Sequence, residues 1–191
     1  GSNVAGISMM VPTDLTLSQF RFLVPEADRI ALLVGEKKES EMVQQAIGTA
    51  RDLGMQTEVF DISDLQDLRK SLDMLPKKCD ALWLLPDPSV ITTDHFYYLN
   101  NLSHRARMPL LTNSIGLTKA GALVGIAPDL EAVGQQAALL AQDIRKGDES
   151  HYGKRIPPGK ASVILNRNTQ KSIGLELEEY SLEFVDEQIG Q

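Results

Sequence analysis

The 191-residue sequence holds one cysteine, one tryptophan and few aromatics of any kind, 5% of the total. A lone Cys79 excludes an internal disulfide and a cysteine-built metal cluster. It stands just before an apolar run, where a buried, inert thiol is the expected state. No apolar run approaches the roughly 20 residues needed to span a bilayer. No secretion signal opens the sequence, and Gly1-Ser2 reads as an expression remnant, so that absence says nothing about compartment. Basic residues are in deficit, 19 Lys and Arg against 26 Asp and Glu, and the net charge of −7 argues against nucleic acid as a partner.

Catalytic signatures are missing too. His95, His104 and His151 have no spacing that sets two ligands on one helix face with a third nearby, so polar or hydrogen-bonding roles suit them better. No Gly-x-Ser-x-Gly elbow, Gly-x-Gly-x-x-Gly turn or P-loop follows any apolar run. Ser114 has neither an evident base nor an oxyanion turn beside it. The pair Glu178-Glu179 lies in an acidic tail, where a solvated face is the ordinary reading. These absences argue against an enzyme and give no reason to expect a cofactor or a metal.

What is present is a rhythm. A hydrophobic share of 42% and a charged share of 24% describe a globular chain, one sizeable domain or one domain with part of another. Short apolar runs, each closed by a turn, stand at Arg29–Val34, Thr57–Asp61, Asp80–Leu85, Pro109–Thr112 and Ala122–Ile126. Runs apolar throughout are typical of strands covered on both faces. Helical stretches alternate with them. Thr13 or Asp14 is placed to cap a first helix that Pro25 closes. Glu39–Leu53 carries one stripe, Met42, Val43, Ala46, Ile47, Ala50 and Leu53, stopped by Gly54. Ser63 opens a capping box with Gln66 ahead of a helix ending at Pro76. A further helix runs from Thr93 to about Arg105, with Phe96, Leu99 and Leu102 on one side. Asp129–Lys146 is a strong amphipathic helix stopped by Gly147. Residues 147–160 have no period, Ser162–Leu165 is a last strand, and the tail is expected to carry a surface helix over Leu182–Ile189.

The βαβα order predicts an α/β fold with a doubly wound, mostly parallel sheet. Ligands bind such sheets along the edge where the strands end. The loops there carry Gly35-Glu36, Pro86-Asp87-Pro88-Ser89, Asn113-Ser114 and Ala127-Pro128-Asp129. Asp87 has two readings: a turn-forming acid, common between prolines, or a fixed carboxylate that pairs with an ammonium group. Ser89 donates to the same ligand or caps the next helix. Asn113 and Ser114 are small polar groups at a strand end, with a plain turn as the alternative. Asp129 is an N-cap and, at a crossover, also a candidate to face the cleft. Trp83, mid-strand, reads as core.

The stretch Asp80-Ala-Leu-Trp-Leu-Leu-Pro-Asp-Pro-Ser89 resembles a known family. So do Gly121–Ala138, the run Asp143-Ile-Arg-Lys-Gly147, Ser162–Leu175 and Asn3-Val-Ala-Gly-Ile-Ser8. In this order they resemble the second half of an ABC-transporter substrate-binding protein, in the subgroup of type I periplasmic binding protein fold that includes aromatic amino acid binders. The resemblance covers nearly all of residues 3–176. It implies a C-terminal lobe formed by residues 3–128 and 161–176. It also implies a crossover helix and loop at 129–160 that pack on an N-terminal lobe missing from this truncated polypeptide, and an acidic tail at 177–191. The implied role is an extracytoplasmic or periplasmic solute-binding component of an ABC uptake transporter, compatible with a lipid anchor. Its partners are a small-molecule solute, an amino acid among the options, and an ABC permease. The candidate ligand contacts are Asp87, Ser89, Asn113, Ser114 and Asp129, and the resemblance favours ligand contact for Asp87. Two departures stand out: Asn113 occupies a loop where the family commonly has acidic residues, and Leu130-Glu131 follow Asp129 where aromatics are frequent. A ligand sensor that signals without transport is the second reading, and an enzyme on a Rossmann-like sheet the third. A lone lobe exposes the apolar face of the 129–146 helix, which is expected to be buried in a homodimer or a swapped arrangement.

Overall fold

The computed structural model describes residues 3–35, 40–62, 64–87 and 90–190. The aliphatic run Arg29–Val34 is strand β2, preceded by the two-residue strand β1 (Gly6–Ile7) and helix α1 (Thr13–Leu23). There follow α2 (Glu41–Asp52), β3 (Gln56–Asp61), α3 (Leu65–Leu72), α4 (Leu75–Lys78) and β4 (Ala81–Leu84). Next come α5 (Thr93–Ala106), β5 (Leu110–Thr112), α6 (Ile115–Lys119), β6 (Val124–Pro128) and α7 (Leu130–Arg145). The chain ends with β7 (Arg155–Ile156), β8 (Ala161–Asn166), α8 (Arg167–Ile173), α9 (Glu179–Leu182) and β9 (Glu187–Ile189).

Seven strands form one sheet in the order β3-β2-β4-β5-β6-β8-β9. Only the β6–β8 pair is antiparallel. Side chains alternate through the sheet. Ile30, Leu32, Val34, Trp83 and Leu111 join the core under α1 and α2. Ala31, Leu33, Leu82, Leu84 and Leu110 join the opposite core, with Leu68 of α3 and Leu99 of α5. This two-sided burial is why the strands read as unbroken apolar runs rather than as alternating ones. Cys79 is buried and unpaired, and burial pushes its thiol pKa up to about 11.

A second, smaller layer stands apart from the sheet. β1 pairs in parallel with β7, and α7 packs on β1. Three segments join the layers: residues 8–12, the β6–α7 junction and residues 157–160. Exit and return lie side by side, since the Asp129 N–H donates to the Lys160 carbonyl over 3.1 Å. The chain leaves the sheet at the carboxyl end of β6 and re-enters at the same end, so β8 must run antiparallel to β6. Of the sixteen residues of α7, only Leu140 is buried, and Leu130 and Leu139 are 62% and 61% exposed.

Several expectations need correction. The tail holds no helix over 182–189: α9 ends at Leu182, and residues 187–189 add strand β9 to the sheet. The Asp186 carboxylate accepts from the Val163 N–H at 2.8 Å, and the Asp186 N–H donates back to Val163 O at 2.9 Å. That exchange fixes the start of β9 along an edge of β8 that would otherwise be unpaired. The loop after β5 contains helix α6, whose Thr118 packs so close to β6 that a side chain at Gly125 would run into it. Neither Thr13 nor Asp14 caps α1; Pro12 does, with φ −53° and no side-chain bond. Asp64 caps α3, accepting from Asp67 N–H at 2.7 Å, while Ser63 lies outside the described residues.

Candidate functional site

The strand order reverses between β2 and β4. β3 follows β2 but lies to one side of it, and β4 is on the other. The carboxyl ends of β2 and β4 therefore flank a crevice, the place where doubly wound sheets hold ligands. In this chain the crevice is a cavity of about 290 Å³ between Val34 of β2, the Leu85-Pro86-Asp87 loop after β4, and the first turn of α2. Met10, Met42, Val43 and Pro86 make most of its wall apolar, and it carries two carboxylates, Asp87, 8% exposed, and the exposed Glu41. Met10, Glu41 and Met42 also border a wider cleft of about 490 Å³ that extends to Ser8, Gln45 and Arg155. The wider cleft lies between the two layers, with Arg155 on the small one and Gln45 on the sheet side.

The Asp87 loop is clasped by its own backbone. Asp87 N–H donates to Leu85 O at 2.7 Å, and Asp87 O accepts from Val90 N–H at 3.0 Å and Ile91 N–H at 2.9 Å. His95, buried in the first turn of α5, places Nδ1 2.9 Å from the Val90 carbonyl. A carbonyl only accepts, so Nδ1 carries the proton. His95 thus ties the far end of the loop to a helix. Ser89 lies outside the described residues.

Asn113 sits at the end of β5 and engages three partners. Its Oδ1 accepts from the Trp83 indole N–H at 2.9 Å, and its Nδ2 donates to Ile126 O at 3.1 Å and Thr16 Oγ1 at 3.3 Å. It therefore ties together β4, β5, β6 and α1, and it also borders a small recess with Met10, Met42 and Pro86. Ser114 is the N-cap of α6, accepting from Leu117 N–H at 3.3 Å. Asp129 is the N-cap of α7, accepting from Ala132 N–H at 3.0 Å and pairing with Lys160 Nζ at 2.8 Å. Of the expected site residues, the structure brings Asp87 and Asn113 to the cleft through shared neighbours Met10, Met42 and Pro86. Ser114 and Asp129 serve helix starts. Met10, Met42 and Arg155 were not singled out from the sequence as site residues. Met42 belongs to a helical stripe that reads as core, and Arg155 to a segment without period.

The cap bond from Ala132, then the bond and charge of Lys160, hold the Asp129 carboxyl below the usual carboxylate range. A pKa lowered by folding contributes stability that is present above the unfolded value and lost as pH falls through the folded one. Asp129→Asn is therefore expected to lower the urea midpoint at neutral pH, with the difference from the wild type closing below about pH 4. A difference that persists unchanged at pH 2 would show that the charge is not the cause.

Among the described residues no group of three or more His, Cys, Asp or Glu is placed to hold a metal ion, and no helix is long and apolar enough to cross a membrane.

A family model described as ABC transporter substrate binding protein matches residues 1–189. The fold is similar to that of a Streptococcus pneumonia ABC domain solved in complex with L-Trp, at TM-score 0.76 and 17% identity. It is also similar to a conserved domain protein from Vibrio cholerae, at 0.77 and 16%, and to a ligand-free, open substrate-binding protein with adhesive properties from Clostridium difficile, at 0.79 and 18%. Each match covers 98% of this chain and 63% of the other. The chain thus spans less than two thirds of the length of these proteins. No curated protein matches the sequence.

Proposed function

Because the chain belongs to the ABC transporter substrate-binding protein family, a binding family and not an enzymatic one, we propose that it is the extracytoplasmic solute-binding component of an ABC uptake transporter. Its partner is an ABC permease in the membrane. The solute sits in the cleft at the carboxyl edge of the sheet, between the lobe that holds the seven-stranded sheet and a second lobe to which β1, α7 and β7 belong. Binding favours the closed form of the two lobes, and the permease reads that form.

The observation that carries this reading is the site at the strand reversal: a nearly buried Asp87 carboxylate beside an apolar cavity walled by Met10, Met42 and Pro86. Such a cavity suits a small solute with a cationic group and an apolar body, with polar groups fixing its orientation. Amino acids with apolar side chains have this chemistry. The exposed face of α7 supports the second lobe, because a helix with one buried residue in sixteen has lost most of its cover.

The test has two arms. A longer protein carrying both lobes is expected to retain its solute through gentle purification, identifiable by mass spectrometry. Isothermal titration of that solute into the 191-residue chain is expected to show very weak binding, and light scattering to show self-association through α7. Tight binding by a monodisperse 191-residue monomer would refute the two-lobe reading.

A further inference from the structure

The opposite edge of the sheet carries a feature that solute binding does not use. Phe22, at the last turn of α1, stacks edge-on against Tyr180 and Phe184, with ring centroids 5.7 and 4.6 Å away. All three rings face solvent, with exposures of 36%, 55% and 53%. They are three of only ten aromatic residues in the chain. The tail is fastened by other side chains: Leu175, Leu177, Leu182 and Val185 pack on the core, and Ser181 is buried. Tyr180 and Phe184 are therefore not needed to hold the tail down, and their apolar faces are left in water at a standing cost.

Acids surround the rings. Glu26, Glu176 and Glu178 border a notch of about 60 Å³ whose apolar walls include Phe22, Pro25 and Tyr180. Glu179 and Glu183 flank the rings on the α9 side. Among the described residues none of these five carboxylates forms an ion pair. Aromatic faces beside unpaired carboxylates suit an arginine or lysine side chain, which gains from both the ring and the charge. The flanking rings then take apolar neighbours of that cation.

We propose that this patch docks a protein partner through a segment carrying arginine or lysine among apolar residues. A second copy of this chain fits poorly, because a two-fold contact through one patch sets the same carboxylates against each other. An anionic membrane is repelled for the same reason. The site is separate from the solute. α1 begins at the cleft with Thr13 and reaches the patch at Phe22, about 13 Å of helix away.

The test uses the 191-residue chain and three capped synthetic peptides: alternating arginine and leucine, the same with glutamate for arginine, and the same with serine for leucine. In low-salt titration calorimetry the first is expected to bind and the other two are not. Tyr180→Ser with Phe184→Ser, and separately Glu176→Gln with Glu178→Gln, are each expected to weaken the first peptide by about tenfold or more. Glu176 and Glu178 are exposed, so the melting curve of the Glu→Gln pair should overlay the wild type, and it gives a reading even where the aromatic pair, which loses its contacts with Phe22, is destabilised. Unchanged affinity in the Glu→Gln pair, equal binding of the glutamate peptide, or binding to phosphatidylglycerol vesicles overturns the proposal. So does a wild-type dimer in light scattering that Tyr180→Ser with Phe184→Ser dissolves. Failure here leaves the solute reading untouched, since no residue of the cleft is altered.

Discussion

Asp87→Asn is expected to weaken solute binding by about a hundredfold or more in the two-lobed protein. The substitution keeps the shape of the side chain and leaves in place the backbone bonds from Val90 and Ile91 that hold the loop. What it removes is the charge beside a cavity whose walls are mostly apolar. Truncating one partner of a buried, charge-assisted contact costs about 2–5 kcal/mol, and about 1.4 kcal/mol is tenfold in affinity. The loss should appear in calorimetry with the solute identified by mass spectrometry. It should also be specific to the cationic group: an N-acylated form of the solute is expected to bind wild type weakly and the Asn variant no worse. Equal affinity of wild type and variant for the unmodified solute would remove Asp87 from the site.

Much of this geometry could be read from residue order. β2 has the expected bounds because the five residues after Arg29 have no polar interruption before Gly35. Asp87 stood out because an acid between prolines directly after a buried strand has little freedom and a predictable edge to occupy. The rest of the cleft was hidden for a physical reason. Met10, Met42 and Arg155 come from three segments far apart in sequence, and they meet only because the chain crosses three times between its layers. Met42 fits the stripe of α2 as well as it fits a cavity wall, so periodicity cannot separate the two roles. The tail misled for a different reason. Its apolar residues are spaced for one face of a helix, but the free edge of β8 and the two bonds between Asp186 and Val163 favour an extended chain. Local pattern lost to a sheet edge that needed a partner.

Asn113→Ala is expected to be among the most destabilising single changes at the cleft, lowering the thermal midpoint by roughly 5–15 °C. The Trp83 indole is buried, and its N–H donates to Asn113 Oδ1 at 2.9 Å. Removing the acceptor leaves that donor without a partner at a cost of about 1–3 kcal/mol, and the bonds to Ile126 and Thr16 go with it. For a chain of this size each kcal/mol moves the midpoint by roughly 2–4 °C. The same three bonds explain why an amide suits this position better than an acid. A carboxylate at 113 would still accept from Trp83 but would face the Ile126 carbonyl with no proton to give. Asn113→Asp is therefore expected to destabilise at neutral pH and to recover part of the loss as pH falls toward about 4, because a carboxylate facing a carbonyl takes up its proton above the unfolded value. A double-mutant cycle isolates the central contact. With Trp83→Phe the indole donor is gone, so Asn113→Ala should cost about 1–2 kcal/mol less in that background than in the wild type. Additive losses would mean that the indole N–H contributes nothing through Asn113. The tie between strand β4 and the loop after β5 would then have to come from packing alone.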